Sequence, residues 1–259
     1  MKNASPAACE LTTAIPLVRQ SVAALLRIHG VKAEAGARKK GARAEPKFRA
    51  VIGGSAFCIV ADRYLVTAWH VLNGGKPRNP DDLLYLLTVP DNGDQALCFP
   101  VRDVPLERRD LDVAVLEIGP CATTRGGVPA LPLSFAPRPD GTRVVTVGYP
   151  SPTIARIKLD ASGSYRGGEM FLKSHANEGI VAAQYKMGGV SIYELNIGWH
   201  NGESGGPVAV VAERPAAFSL MQHYRNIQSP HGILPGPHRG CALSGIRAEL
   251  LALGAEALE

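Results

Sequence analysis

The chain has 259 residues, 46% of them hydrophobic and 20% charged, with a formal net charge of +5. That is enough apolar material for one large domain or two small lobes, and no apolar run of about eighteen residues is present to span a membrane. Five cysteines (Cys9, Cys58, Cys98, Cys121 and Cys241) are scattered without a CxxC pair. Neither a disulfide framework nor a structural zinc site is therefore expected, and a reducing, cytoplasmic setting is.

In chain order, residues 1–17 read as an N-terminal lead-in. Met1 to Glu10 lacks a basic region followed by a long apolar segment, and Pro16, Arg19 and Gln20 interrupt the stretch after it, so no secretory signal is expected. Ser21 to Ile28 is a strand or a short helix; periodicity does not choose. Segment 31–49 is a loop that holds much of the positive charge, in Lys32, Arg38, Lys39, Lys40, Arg43, Lys47 and Arg49. It reads as a solvated basic loop, with a nucleic-acid or anionic surface as the alternative. Gly54 to Val60 and Tyr64 to Val71 are strand-like and separated only by Ala61-Asp62-Arg63, which predicts a hairpin. Leu83 to Val89 and Ala96 to Val101 flank the turn Asp91-Asn92-Gly93-Asp94, and Leu111 to Ile118 is a further apolar run.

Residues 119–140, with five prolines, read as a connector between lobes 18–130 and 131–259. The second half carries strand-like segments at 143–147, 154–159, 170–173, 179–184, 191–197 and 208–211. Residues 213–240 read as a proline-punctuated insertion on which a partner protein could dock, 241–246 as a last strand, and 246–253 as a closing helix. Many short strands bounded by glycine and proline predict an all-β architecture.

Three local patterns stand in order: Thr67-Ala68-Trp69-His70-Val71, Asp112-Val113-Ala114-Val115-Leu116-Glu117-Ile118, and Gly202-Glu203-Ser204-Gly205-Gly206-Pro207-Val208. Serine is a poor nucleophile until a base takes its proton, and histidine is the side chain whose ordinary pKa suits that task. An aspartate beside the histidine holds its tautomer and stabilises the imidazolium. A glycine-rich turn can aim a hydroxyl and nearby N–H groups at one point.

With these motifs the chain resembles the chymotrypsin-like (trypsin-fold) serine peptidases, in the bacterial branch that includes the HtrA-type proteases. The resemblance spans roughly residues 18 to 250. It implies two six-stranded β-barrels with the active site in the cleft between them, and a short C-terminal helix. It implies His70, Asp112 and Ser204 as catalytic residues, with the N–H groups of Gly202 and Ser204 as the oxyanion hole. Asp112 is selected over Asp110 because the family's aspartate directly precedes an alternating apolar strand. The substrate is expected to be a protein or peptide, cleaved through an acyl-enzyme without cofactor or metal, in a regulatory, stress or defence role. Neither nucleic acid nor membrane is an expected partner. No PDZ-like region follows residues 246–253, and an oligomeric quality-control role is not part of the expectation.

The resemblance places the base of the S1 pocket at Gly198, where trypsin-like enzymes that accept Arg or Lys carry an aspartate. Trp199 and His200 would line or cap the pocket, and Leu243-Ser244-Gly245 would be a late strand near the site, with Ser244 reaching toward Asp112. A small or medium apolar P1 and an acidic P1 read by His200 both stay open. His223, His231 and His238 match no standard metal-ligand spacing. The run Gly202-Glu203-Ser204-Gly205-Gly206 also satisfies G-x-S-x-G, but the chain ahead lacks the alternating helices of that hydrolase fold. Val51-Ile52-Gly53-Gly54 resembles a zymogen activation site, yet Ile52 lies only 18 residues before His70, so no trypsin-type activation is expected. The rival function is a catalytically silent module of the same fold that binds through segment 32–49.

Overall fold

The structure, a computed structural model, describes residues 6–30, 48–77, 79–89, 95–122, 126–160, 165–198, 200–230 and 232–259. Most of the basic loop 31–49, the 91–94 turn, Trp199 and His231 lie outside the described residues.

Six strands, β1 (Val22–Gly30), β2 (Phe48–Val60), β3 (Tyr64–Ala68), β4 (Leu83–Thr88), β5 (Leu97–Arg108) and β6 (Val113–Ile118), close into a barrel of order β1-β2-β3-β6-β5-β4. Strands β7 (Arg143–Gly148), β8 (Thr153–Leu159), β9 (Tyr165–Phe171), β10 (His175–Met187), β11 (Val190–Ile197), β12 (Pro207–Val210), β13 (Ala217–Ser229) and β14 (Gly232–Ala242) follow. Of these, β10-β11-β14-β13-β12-β7 close a second barrel, and β8 pairs with β9 in a separate two-stranded sheet. The all-β, two-barrel fold is the one the motifs implied. Closure matters energetically because it leaves no unpaired barrel edge.

The apolar runs become strands because both faces find cover. Every residue of β3 is buried between β2 and β6, and Val113 to Leu116 of β6 are buried as well. Phe57, Leu65, Leu86 and Phe99 are fully or almost fully buried in the core of the first barrel. Tyr193, Leu195, Phe218 and Met221 form the core of the second. There the Tyr193 and Phe218 rings meet edge to face at 4.9 Å between centroids.

Several expectations need correction. The N-terminal segment is not a loose lead-in: Pro6–Arg19 is helix α1, with Ala14 and Val18 fully buried and the helix packed on β7. Pro16 argues locally against a helix, but packing of one apolar face outweighs a lost backbone bond. Ser21–Ile28 resolves as strand β1. The histidine segment leaves the sheet at Ala68, and Trp69–Asn73 forms the short helix α2, closed by Gly74 at φ 60.

Residues 213–240 are not an insertion. They contain β13 and most of β14, two staves of the second barrel. The prolines misled because β14 pairs with β11 only from His238 to Cys241. Pro235 and Pro237 therefore sit where one side of β14 needs no donor from that neighbour. The last strand ends at Ala242, and Leu243–Ile246 is a 3₁₀ turn leading into helix α3 (Arg247–Ala252).

Candidate active site

His70 sits in the first turn of α2, at the end of β3, and Asp112 immediately precedes β6. Since β3 and β6 are paired neighbours, with Ala68 opposite Val113, the two side chains meet. Asp112 Oδ1 accepts the backbone N–H of His70 at 2.8 Å, and Oδ2 lies 2.8 Å from His70 Nδ1. Asp112 adopts φ 54, uncommon outside glycine, and the Trp69 N–H donates to its carbonyl at 3.0 Å. The strained residue is thus held from both its backbone and its carboxylate. The exposed Asp110 instead accepts two bonds from the half-buried Arg108, which lower its pKa chiefly through hydrogen bonding, and it takes no part in the pair.

The second barrel brings the serine turn to this pair. Ser204 is buried, and its hydroxyl donates to the carbonyl of Gln222 on β13 at 2.7 Å, with no bond to His70. Gln222 was not foreseen. It is buried, its Nε2 donates to Leu111 O at 2.7 Å, and so one residue touches both the serine and the loop that carries Asp112.

The carbonyls that precede Gly202 and Ser204 are tied back. Asn201 O accepts from Ser151 N–H at 3.0 Å and Glu203 O from Gly206 N–H at 2.9 Å. In a planar trans peptide the N–H points opposite to the C=O. The N–H groups of Gly202 and Ser204 are therefore turned to the other side, and neither has an acceptor among the described residues. Gly202 O accepts the Ser55 hydroxyl at 2.8 Å, Ser55 Oγ accepts the Tyr149 N–H at 2.9 Å, and Ser55 N–H donates to Ser204 O at 2.7 Å. Ser55 belongs to β2, so the first barrel clamps the second barrel's turn. Two positions require glycine. Gly202 has φ +104 and a Cβ would stand 2.4 Å from Tyr149 O; Gly205 has φ +85 and a Cβ would stand 2.1 Å from Ser55 O.

Glu203 is 2% exposed. Its Oε1 accepts Asn177 Nδ2 and its Oε2 accepts the His200 N–H, both at 2.9 Å. Burial raises its pKa, while those two donors pull the other way. Ile52 lies within β2 opposite Leu26, in the sheet rather than near Glu203.

Of the residues expected to bind substrate, Gly198 follows β11 and is exposed, and among the described residues only Asn177 Oδ1, at 3.5 Å, would touch a Cβ there. His200 is exposed beside the turn, and Trp199 lies outside the described residues. Leu243, Ser244 and Gly245 are not a strand. Leu243 is buried in the core and the other two are exposed in the 3₁₀ turn, and no bond joins Ser244 to Asp112. The strand beside the site is β13, which supplies Gln222 and His223. The His223 pKa is lowered by burial and by the nearby His70 and Arg239, against an opposing pull from Asp112. Cys58, Cys98 and Cys241 are buried thiols pushed up to about 12 by desolvation, which leaves them protonated and inert as nucleophiles.

Residues 54–213 match the family model described as the trypsin-like peptidase domain. Among solved structures, the chain is similar to the HtrA-type protease AlgW with decapeptide. The TM-score is 0.60 at 17% identity, over 93% of this chain and 66% of that one. A variant of AlgW with decapeptide gives 0.58 at 15% identity, over 97% and 68%. The chain thus spans about two thirds of the length of these proteins, and at such identity the likeness is one of fold. No curated protein matches the sequence.

Proposed function

The chain belongs to the trypsin-like peptidase family, the serine endopeptidases of the two-barrel fold, and from that premise we propose that it hydrolyses peptide bonds with His70, Asp112 and Ser204. The observation that carries this reading is the doubly bonded His70–Asp112 pair. With Asp112 ionised, Nδ1 holds the ring proton, and Nε2 is left to act as base.

The reaction begins as the Ser204 hydroxyl swings from Gln222 O toward Nε2; catalytic bonds in an empty site commonly tighten only with substrate in place. Ser204 Oγ then attacks the scissile carbonyl while His70 takes its proton. The N–H groups of Gly202 and Ser204 receive the negative charge on the carbonyl oxygen. One such donor is typically worth about 3–4 kcal/mol in the transition state. His70 returns the proton to the leaving amine, and water repeats the sequence on the acyl-enzyme.

A peptide or protein substrate fits the family and the decapeptide named with the structural neighbours. Gly198 offers no charge for a basic P1 and favours a small or medium apolar residue. The acidic alternative draws on His200, which is exposed beside the serine turn. The free cysteines accord with a reducing bacterial cytoplasm and a regulatory, stress or defence role on a restricted substrate.

A fluorophosphonate probe tests the central claim. The wild type should label and Ser204→Ala should not. A wild type that never labels would instead favour the silent binding module. A proteome-wide cleavage survey against Ser204→Ala then reads P1, and a dominant preference for Arg would overturn both specificity readings.

A further inference from the structure

We infer that Cys98 and Cys121 are an oxidation site: a hydroperoxide converts them to one intramolecular disulfide, which staples the segment after β6 to β5 and stabilises the first barrel. The inference does not depend on the peptidase reading.

The end of the β5–β6 ladder sets the pair. Val101 stands opposite Ile118, and the Gly119 N–H continues the ladder to Pro100 O at 2.8 Å. The next bond in step would run from the Cys121 N–H to Cys98 O. It runs instead from the Ala122 N–H, at 2.7 Å, one residue late. Cys121 and Ala122 are therefore bulged together opposite Cys98. Opposed residues of an antiparallel pair have Cα atoms about 4.5–5.5 Å apart, and a disulfide spans about 4.4–6.8 Å. The side chains turn the same way. Cys98 is fully buried in the core of the first barrel, and the half-buried Cys121 packs against that core, while Pro120 and Ala122 on either side of it are exposed. Neither cysteine is disulfide-bonded. Cys58 lies on β2 and Cys241 on β14 of the other barrel.

Burial, and after it the charge of an ionised Cys121, push the Cys98 thiol up to about 12. That fixes the order of events. Cys98 stays protonated and does not start the reaction, whereas the half-buried Cys121 meets the oxidant. A cavity of about 710 Å³, lined by Ala96, Ala122 and Tyr165 among others, adjoins the pair and admits a small peroxide. The Cys121 sulfur attacks the peroxide and the O–O bond breaks. One oxygen stays on sulfur as a sulfenic hydroxyl, and the other leaves with the thiol proton as water. The charge that opposed ionisation of Cys98 is then gone. The Cys98 sulfur displaces the sulfenic hydroxyl, the S–S bond forms, and the Cys98 proton leaves with that hydroxyl as a second water. The two thiols lose two electrons and the peroxide gains them. A dithiol reductant reverses the bond by exchange and is itself left as a disulfide. In a reducing compartment such bonds are transient and report oxidants.

The test treats the reduced full-length protein with hydrogen peroxide, counts thiols after denaturation and maps unreduced peptides by mass spectrometry. The wild type should lose two of its five thiols and yield a Cys98–Cys121 linked peptide. It should melt about 5–10 °C above the reduced form, and dithiothreitol should return both readings. Cys121→Ser should form no disulfide, and its melting temperature should not respond to peroxide. Cys98→Ser should stop at a Cys121 sulfenic acid that dimedone traps; if that buried substitution prevents folding, the wild-type map and Cys121→Ser decide alone. A wild type that keeps all five thiols at every peroxide concentration would overturn the proposal. So would a Cys121 link to Cys9 or to a second chain in place of Cys98, or a Cys98–Cys121 disulfide that leaves the melting temperature unchanged. Fluorophosphonate labelling is a separate readout, on which only the peptidase reading depends.

Discussion

Replacing Ser55 with alanine removes a single oxygen from the junction of the two barrels, and with it two hydrogen bonds to backbone groups of the second barrel. Ser55 is fully buried, Tyr149 is 1% exposed, and the hydroxyl accepts the Tyr149 N–H while donating to Gly202 O. An unsatisfied buried group costs about 1–3 kcal/mol. The buried Tyr149 N–H is shielded from water, whereas the half-buried Gly202 carbonyl regains part of its lost bond from water. The sum is about 2–4 kcal/mol. In a chain of this size the melting temperature should fall by about 5–12 °C, read by circular dichroism or calorimetry. The same change frees the peptide between the two oxyanion donors, so fluorophosphonate labelling below the transition should slow by about tenfold. A melting temperature within about 1 °C of wild type, together with an unchanged labelling rate, would refute the reasoning. A lowered melting temperature with an unchanged rate would leave Ser55 a structural residue only.

Three further predictions use the same assays. Asp112→Asn replaces an acceptor of two His70 bonds with a group that has one oxygen to offer, so the ring is left in the wrong tautomer and kcat should fall about 10⁴-fold; Asp110→Asn, at the surface, should leave it unchanged. Gln222→Leu leaves the Leu111 carbonyl unpaired across the barrel junction and should cost about 1–3 kcal/mol in denaturant melts; an unchanged midpoint would deny that bond any role. Burial raises the Glu203 pKa, so the folded state binds that proton more tightly than the unfolded chain does. Its contribution to stability is therefore most favourable in acid and declines as pH rises from the ordinary 4.5 through the raised value. Glu203→Gln should flatten the stability profile over that window while labelling falls. A profile as steep as wild type would contradict the buried ionisation.

His70, Asp112 and Ser204 stand out as candidates in the sequence because each lies in a short motif whose chemistry is local: an apolar strand beside a histidine, an aspartate opening another, and a glycine turn around a serine. The two-barrel architecture was legible for a related reason, since strand runs bounded by glycine and proline recur along the whole chain. Strand boundaries were less so: β13 was missed, and of β14 only the end, Cys241 and Ala242, fell within an expected strand. Their prolines look like loop signals, and only the short pairing of β14 with β11 shows why they are tolerated.

What holds the proposed catalytic groups in place was decided by the tertiary structure. Ser55 reaches Gly202 across 147 positions, Gln222 reaches Leu111 across 111, and Asn177 meets Glu203 across 26. No local pattern marks a serine, glutamine or asparagine as a support, because each is defined by the group it satisfies in the other barrel or in the serine turn. The motifs name the proposed reacting groups. The closure of the two barrels supplies the bonds that aim them, since a buried donor or acceptor must find its partner wherever the chain returns.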